Sequence, residues 1–147
     1  MKDKASISIL IADDDADDRM LIEDAFRESR LSNPLSFVEN GEELLHFLRA
    51  QGKFESRRAT DLPRLILLDL NMPKMDGRTA LKHLADPDLR RIPVVVLTTS
   101  KAEEDILRTY DLGVSSFITK PVTFQGLVDV VRALNNYWIE IVELPVQ

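Results

Sequence analysis

The chain has 147 residues, 44% hydrophobic and 30% charged, which suits one domain with a real core. Its net charge of −6 and the lack of any Lys/Arg run argue against a nucleic-acid reader. Without cysteine there is no disulfide framework, thiolate zinc site or cysteine nucleophile, and no apolar run approaches a signal-peptide core or a membrane span, so a cytoplasmic protein is expected.

Residues 7–12 form a short apolar run, predicted as a strand that ends in Asp13-Asp14-Asp15. Asp15 can cap the following helix, whose apolar positions are Leu21, Ile22, Ala25 and Phe26. Residues 31–34 break that helix, and 35–38 read as a weak second strand. Asn40-x-x-Glu43 resembles a capping box and opens a helix carrying Leu44, Leu45, Phe47 and Leu48. The polar stretch 51–63 is expected to be a solvated loop, with a binding role for Arg57 and Arg58 as the competing reading. Residues 65–68 read as a strand buried on both faces, with Asp69 at its carboxyl end. Asn71, Pro73 and Gly77 punctuate the turn that follows. A short helix spans 79–85 and stops at Asp86-Pro87. Residues 93–97 form a strand leading to Thr98. Ser100-x-x-Glu103 opens a helix that reaches Leu112 and is closed by Gly113. Residues 115–119 form a fifth strand before Lys120-Pro121, and Thr123 caps the last helix.

Strands alternating with helices predict right-handed crossovers and a parallel sheet covered on both faces. The expected architecture is an α/β, flavodoxin-like (βα)5 doubly wound sheet with strand order 2-1-3-4-5. A single domain has its core at about 7–135 and a C-terminal extension at 136–147. On the last helix Phe124, Leu127, Val128, Val130, Val131, Leu134, Tyr137, Trp138, Ile141 and Val142 fill about half the circumference, interrupted by Asn135. That arc is wider than contact with one sheet face needs. The surplus is read as a dimer interface through Leu127, Val130, Leu134, Tyr137, Trp138 and Ile141. A tail folded back onto its own domain is the competing reading.

In the expected strand order, Asp13, Asp14, Asp69, Thr98 and Lys120 all reach one edge of the sheet. Two unit charges ~4 Å apart at an effective dielectric of 20 repel by about 4 kcal/mol, so three carboxylates need an offsetting cation. An all-oxygen donor set suits Mg²⁺ or Mn²⁺. A carboxylate left free is a competent nucleophile for phosphoryl transfer, which gives an aspartyl phosphate. Lys120 and the Thr98 hydroxyl are placed to stabilise phosphoryl oxygens.

Over residues 7–134 these motifs resemble the receiver domain of two-component response regulators. The likeness rests on Asp13-Asp14 after the first strand and on Asp69-x-Asn-Met-Pro-x-Met-Asp-Gly. Pro93 before Thr98 and Phe117 before Lys120-Pro121 also fit. The resemblance implies that Asp69 accepts a phosphoryl group from a histidine kinase, with the protein assisting its own phosphorylation and dephosphorylation. It implies metal ligation by Asp14, Asp69 and the Asn71 backbone carbonyl, with Asp13 acting through water. Thr98 and Phe117 would form the switch, and Lys120 would pair with the phosphoryl group. The loop before the third strand, Thr98-Thr99-Ser100 and the tail from Tyr137 to Pro145 resemble small regulators that partner phytochrome-type kinases, several of which dimerise. The chain leaves no room for an output domain, so output is expected through protein contacts or onward phosphotransfer, with no nucleic-acid or membrane partner.

Two rival readings differ in kind. A phosphatase resembling the haloacid dehalogenase superfamily would use Asp13-x-Asp15, Thr98 and Lys120. That reading lacks an acidic pair after the lysine, since only Asp129 lies there, and leaves Asp69 unexplained. A receiver-like scaffold that is never phosphorylated would not need the full set of site residues. A flavodoxin would need a phosphate loop after the first strand, and a calcium loop fails because Asp18 stands where a glycine is required. His46 and His83 lie in predicted helices away from the site.

Overall fold

The computed structural model describes residues 8–31, 33–58, 61–70, 72, 75, 77–98 and 116–136. Its strands are β1 (Ile9–Ala12), β2 (Leu35–Val38), β3 (Leu65–Asp69), β4 (Val94–Thr98) and β5 (Ser116–Thr119). Its helices are α1 (Ala16–Glu28), α2 (Gly41–Arg49), α3 (Gly77–Leu84) and α4 (Phe124–Leu134). All strand pairs are parallel, in the order β2-β1-β3-β4-β5, as expected. The helix predicted from Ser100 to Leu112 lies outside the described residues.

Unbroken apolar runs in β1, β3 and β4 follow from helices on both faces of the sheet. Successive side chains alternate between those faces. Leu10, Ala12, Ile66, Leu68, Val94 and Val96 pack with Leu44, Leu45 and Leu48 of α2 and with Ala80, Leu81 and Leu84 of α3. Ile9, Ile11, Leu65, Leu67 and Val95 pack with Ile22, Ala25 and Phe26 of α1 and with Val128, Val131 and Leu134 of α4.

The local start signals act as the sequence suggests. Asp15 Oδ1 accepts from the backbone N–H groups of Asp17 and Asp18 at the start of α1. Thr123 caps α4 through the Gly126 N–H. At α2, Asn40 Oδ1 accepts from the Glu43 N–H, but the return bond goes from the Glu39 N–H to Glu43 Oε1, one residue before the usual capping-box donor.

The stretch 51–63 departs from a plain solvated loop. It contains a 3₁₀ turn at Gly52–Phe54. The rings of Phe54 and Phe47 meet edge to face, 5.1 Å between centroids. The Arg57 guanidinium stacks 3.7 Å above the Phe47 ring and donates to the Phe47 and Asp61 carbonyls. Arg57 is therefore a clasp between the loop and α2.

Candidate functional site

Strand register alone brings the site together. Ala12 pairs with Leu68, so Asp13 leaves β1 beside Asp69 at the end of β3. Asp69 pairs with Leu97, which puts Thr98 one step beyond it on β4. Thr98 pairs with Thr119, so Lys120 emerges from β5 on the same edge. The order reverses between β1 and β3, and the crevice at that switch point is where such sheets bind ligands.

Asp13, Asp69 and Thr98 are buried, whereas Asp14 is exposed. Asp13, Asp14 and Asp69 each offer a carboxylate oxygen, and these atoms lie within 4.8 Å of one another. Lys120 Nζ lies 3.0 Å from Asp69 Oδ2 and 3.2 Å from Asp13 Oδ2. Its backbone N–H donates to the Thr98 carbonyl at 2.7 Å, which ties the lysine to β4. Phe117 is half-buried and packs against the α2/α3 side of the core.

Burial dominates the electrostatics of Asp13. It pushes this carboxyl up to about 6, against the Asp15 N–H and the Lys120 charge, and the neighbouring Asp69 adds to the rise. Burial by itself lowers the Lys120 pKa. Hydrogen bonds to Asp18 and Asp69, with the Asp69 and Asp13 charges, outweigh it and raise the ammonium above its ordinary range.

Clustered hard oxygen donors fit a small divalent ion. Once bound, such an ion supplies positive charge that offsets carboxylate repulsion and draws phosphoryl oxygens. Asp14 keeps the site open to solvent while Asp13 and Asp69 form its buried wall.

Two contributors escape the sequence reading. Asp18, on the first turn of α1, places Oδ2 2.7 Å from Lys120 Nζ. The Arg19 guanidinium donates to the Asp13 carbonyl at 2.7 Å and pins the acidic turn to α1. The available signal was that α1 begins at the site itself, so its first-turn side chains lean back over the mouth.

Other predicted residues fall elsewhere. Asn71, Tyr137, Trp138 and Ile141 lie outside the described residues. Leu127 and Val130 are half-buried on α4. Leu134 is 3% exposed and packs in the chain's own core, so it is not part of an exposed face. Asp15 serves as a helix cap.

Fold and site together define a doubly wound α/β protein with an acidic, metal-suited site at its switch point. The response regulator receiver domain profile matches residues 9–132, and the chain belongs to that family. It is 39% identical over 138 residues to the response regulator Rcp1 of Synechocystis sp., covering 93% of this chain and 92% of that one. The Mn²⁺-bound form of Rcp1 superposes with a TM-score of 0.81 at 39% identity, covering 94% of this chain and 98% of that one. The phosphorylated cyanobacterial phytochrome response regulator RcpA gives a TM-score of 0.83 at 39% identity, with 94% and 97% covered. RPA3017, a response regulator in red light signaling of R. palustris, gives 0.84 at 30% identity, with 95% and 99% covered.

The protein is thus a two-component signalling protein, and receiver domains of this kind interact with histidine kinases. The family's phosphoacceptor role fits the site, and the phosphatase reading is not favoured. The aspartate cluster and the Mn²⁺ form of Rcp1 together point to a divalent-metal site. Among the described residues no helix is long and apolar enough to cross a membrane.

Proposed function

We propose that Asp69 accepts a phosphoryl group from the phosphohistidine of a phytochrome-type histidine kinase, in a reaction dependent on Mg²⁺ or Mn²⁺. The observation that carries this reading is a buried carboxylate at the end of β3, inside a three-carboxylate cluster and 3.0 Å from the Lys120 ammonium. An Asp69 oxygen forms the bond to phosphorus as the phosphorus–nitrogen bond to the donor imidazole breaks. Asp14, Asp69 and the Asn71 carbonyl would hold the ion, with Asp13 assisting through water, and the ion would supply positive charge to the phosphoryl oxygens. Lys120 and the Thr98 hydroxyl stabilise the transferred oxygens, and Phe117 turns inward as Thr98 moves. Phytochrome pairing is supported by the likeness to RcpA and RPA3017.

The domain has its core at about 7–135 and an extension at 136–147. It acts in the cytoplasm as a phosphoacceptor rather than a turnover enzyme, through protein contacts and without nucleic acid or membrane. Leu127 and Val130, with Tyr137, Trp138 and Ile141 beyond them, form a homodimer face.

The test is phosphorylation by a phytochrome kinase in Mg²⁺, followed by mapping of the acid-labile, base-labile label. Asp69→Asn is expected to abolish it. Persistent labelling of that variant at another residue overturns the assignment.

A further inference from the structure

Lys120 offers one ammonium to three carboxylates. Asp69 and Asp13 belong to the cluster described above, yet the shortest of its three contacts, 2.7 Å, is to Asp18. Asp18 stands outside that cluster, on the first turn of α1. Its side chain is about one-third exposed, and that of Lys120 is 19% exposed. Asp18 and Lys120 also border a cavity of about 140 Å³ shared with Leu21, Leu97, Thr123 and Phe124. The lysine tail is therefore not packed solid on the α1 side and has room to change partners.

Phosphorylation replaces one carboxylate charge on Asp69 with roughly two charges on the phosphoryl group. The lysine must then move its hydrogen bonds toward the new oxygens, and each bond it keeps to Asp18 opposes that move. We propose that Asp18 is a positioning residue that draws Lys120 toward α1 in the unphosphorylated protein and competes with the phosphoryl group for its ammonium. This rests on the reading of Asp69 as phosphoacceptor. Phosphorylation releases Asp18, so the first turn of α1 reports the state of the site.

A competing account gives Asp18 only a general effect, either through the helix dipole or through its negative field. Asp17 separates the first possibility. It shares the first turn of α1 and is exposed, and among the described residues it is not an ion-pair partner of Lys120. The Lys120→Ala background separates the second, because a field acts there too while competition for the lysine does not.

The experiment is calorimetric titration of the full chain with beryllofluoride, a phosphoryl mimic, in Mg²⁺. Asp18→Asn is expected to bind roughly two- to fivefold tighter, the range for a partly exposed ion pair. Asp17→Asn should match wild type, and Asp18→Glu should restore wild-type affinity. In Lys120→Ala, adding Asp18→Asn should change nothing. Unchanged affinity in Asp18→Asn, an equal gain in Asp17→Asn, or a gain that persists without Lys120 overturns the proposal alone. Wild type that does not bind, or Asp69→Asn that binds as well as wild type, overturns the phosphoacceptor reading and this proposal with it.

Discussion

The backbone N–H of Gly41 donates to the Met75 carbonyl at 3.0 Å, and a Cβ on Gly41 would stand 2.3 Å from that oxygen. The start of α2 is thereby pressed against a residue six positions beyond Asp69. Gly41→Ala cannot fit unless one of the two segments shifts. It is expected to cost about 1–3 kcal/mol in urea unfolding, as overpacking does, and to slow phosphorylation by acetyl phosphate. Wild-type stability and rate in that variant would show that Met75 yields freely.

Asp13 gives the metal-free protein a pH signature. Its folded pKa of about 6 exceeds the ordinary 3.8, so between those values the native state binds more protons than the unfolded chain. Stability in EDTA therefore falls as pH rises through this window, by roughly 2–3 kcal/mol from this group. Asp13→Asn should flatten the fall. Excess Mg²⁺ should oppose it, because the ion favours the charged carboxylate. Denaturant midpoints measured from pH 4.5 to 7, with and without Mg²⁺, check both statements, and an EDTA curve that rises with pH for wild type but not for Asp13→Asn contradicts them.

Strand content and order were legible because a doubly covered parallel sheet writes itself as unbroken apolar runs separated by helical periodicity. Asp13, Asp69, Thr98 and Lys120 were legible for a related reason: each directly ends or follows a strand, so register alone carries it to one edge. Asp18 was not legible. A first-turn acid looks the same whether it meets water or a lysine 102 residues later in the chain. Leu134 misled because helical periodicity marks it as apolar without saying whether the chain's own sheet or another subunit covers it. Arg57 in a polar stretch reads as solvated, and only the fold brings the Phe47 ring beneath it.

That ring makes Arg57 testable. The guanidinium stacks on Phe47 and bridges two backbone carbonyls, so Arg57→Ala should cost roughly 1–2 kcal/mol of stability. Arg57→Lys should recover only part of this, since an ammonium lacks the planar fork that reaches both carbonyls. Arg58 is exposed and serves as the control, with Arg58→Ala within experimental error of wild type. Thermal unfolding of the three variants measures the differences, and an Arg57→Ala midpoint equal to that of Arg58→Ala would remove the clasp.

On α4 the structure divides the predicted dimer stripe into two kinds of residue. Leu134 is buried in the core cluster shared by α1, α4 and one face of the sheet, so Leu134→Ala should cost about 2–4 kcal/mol in the unfolding of any oligomeric form. Val130 is half-buried and one turn earlier, on the boundary between that core and the surface. A charge there can reach water within the monomer but not inside a packed interface. Val130→Lys is therefore expected to leave a folded chain while shifting sedimentation toward the monomer. If Val130→Lys keeps the wild-type sedimentation coefficient across a hundredfold dilution series, α4 is not the dimer face.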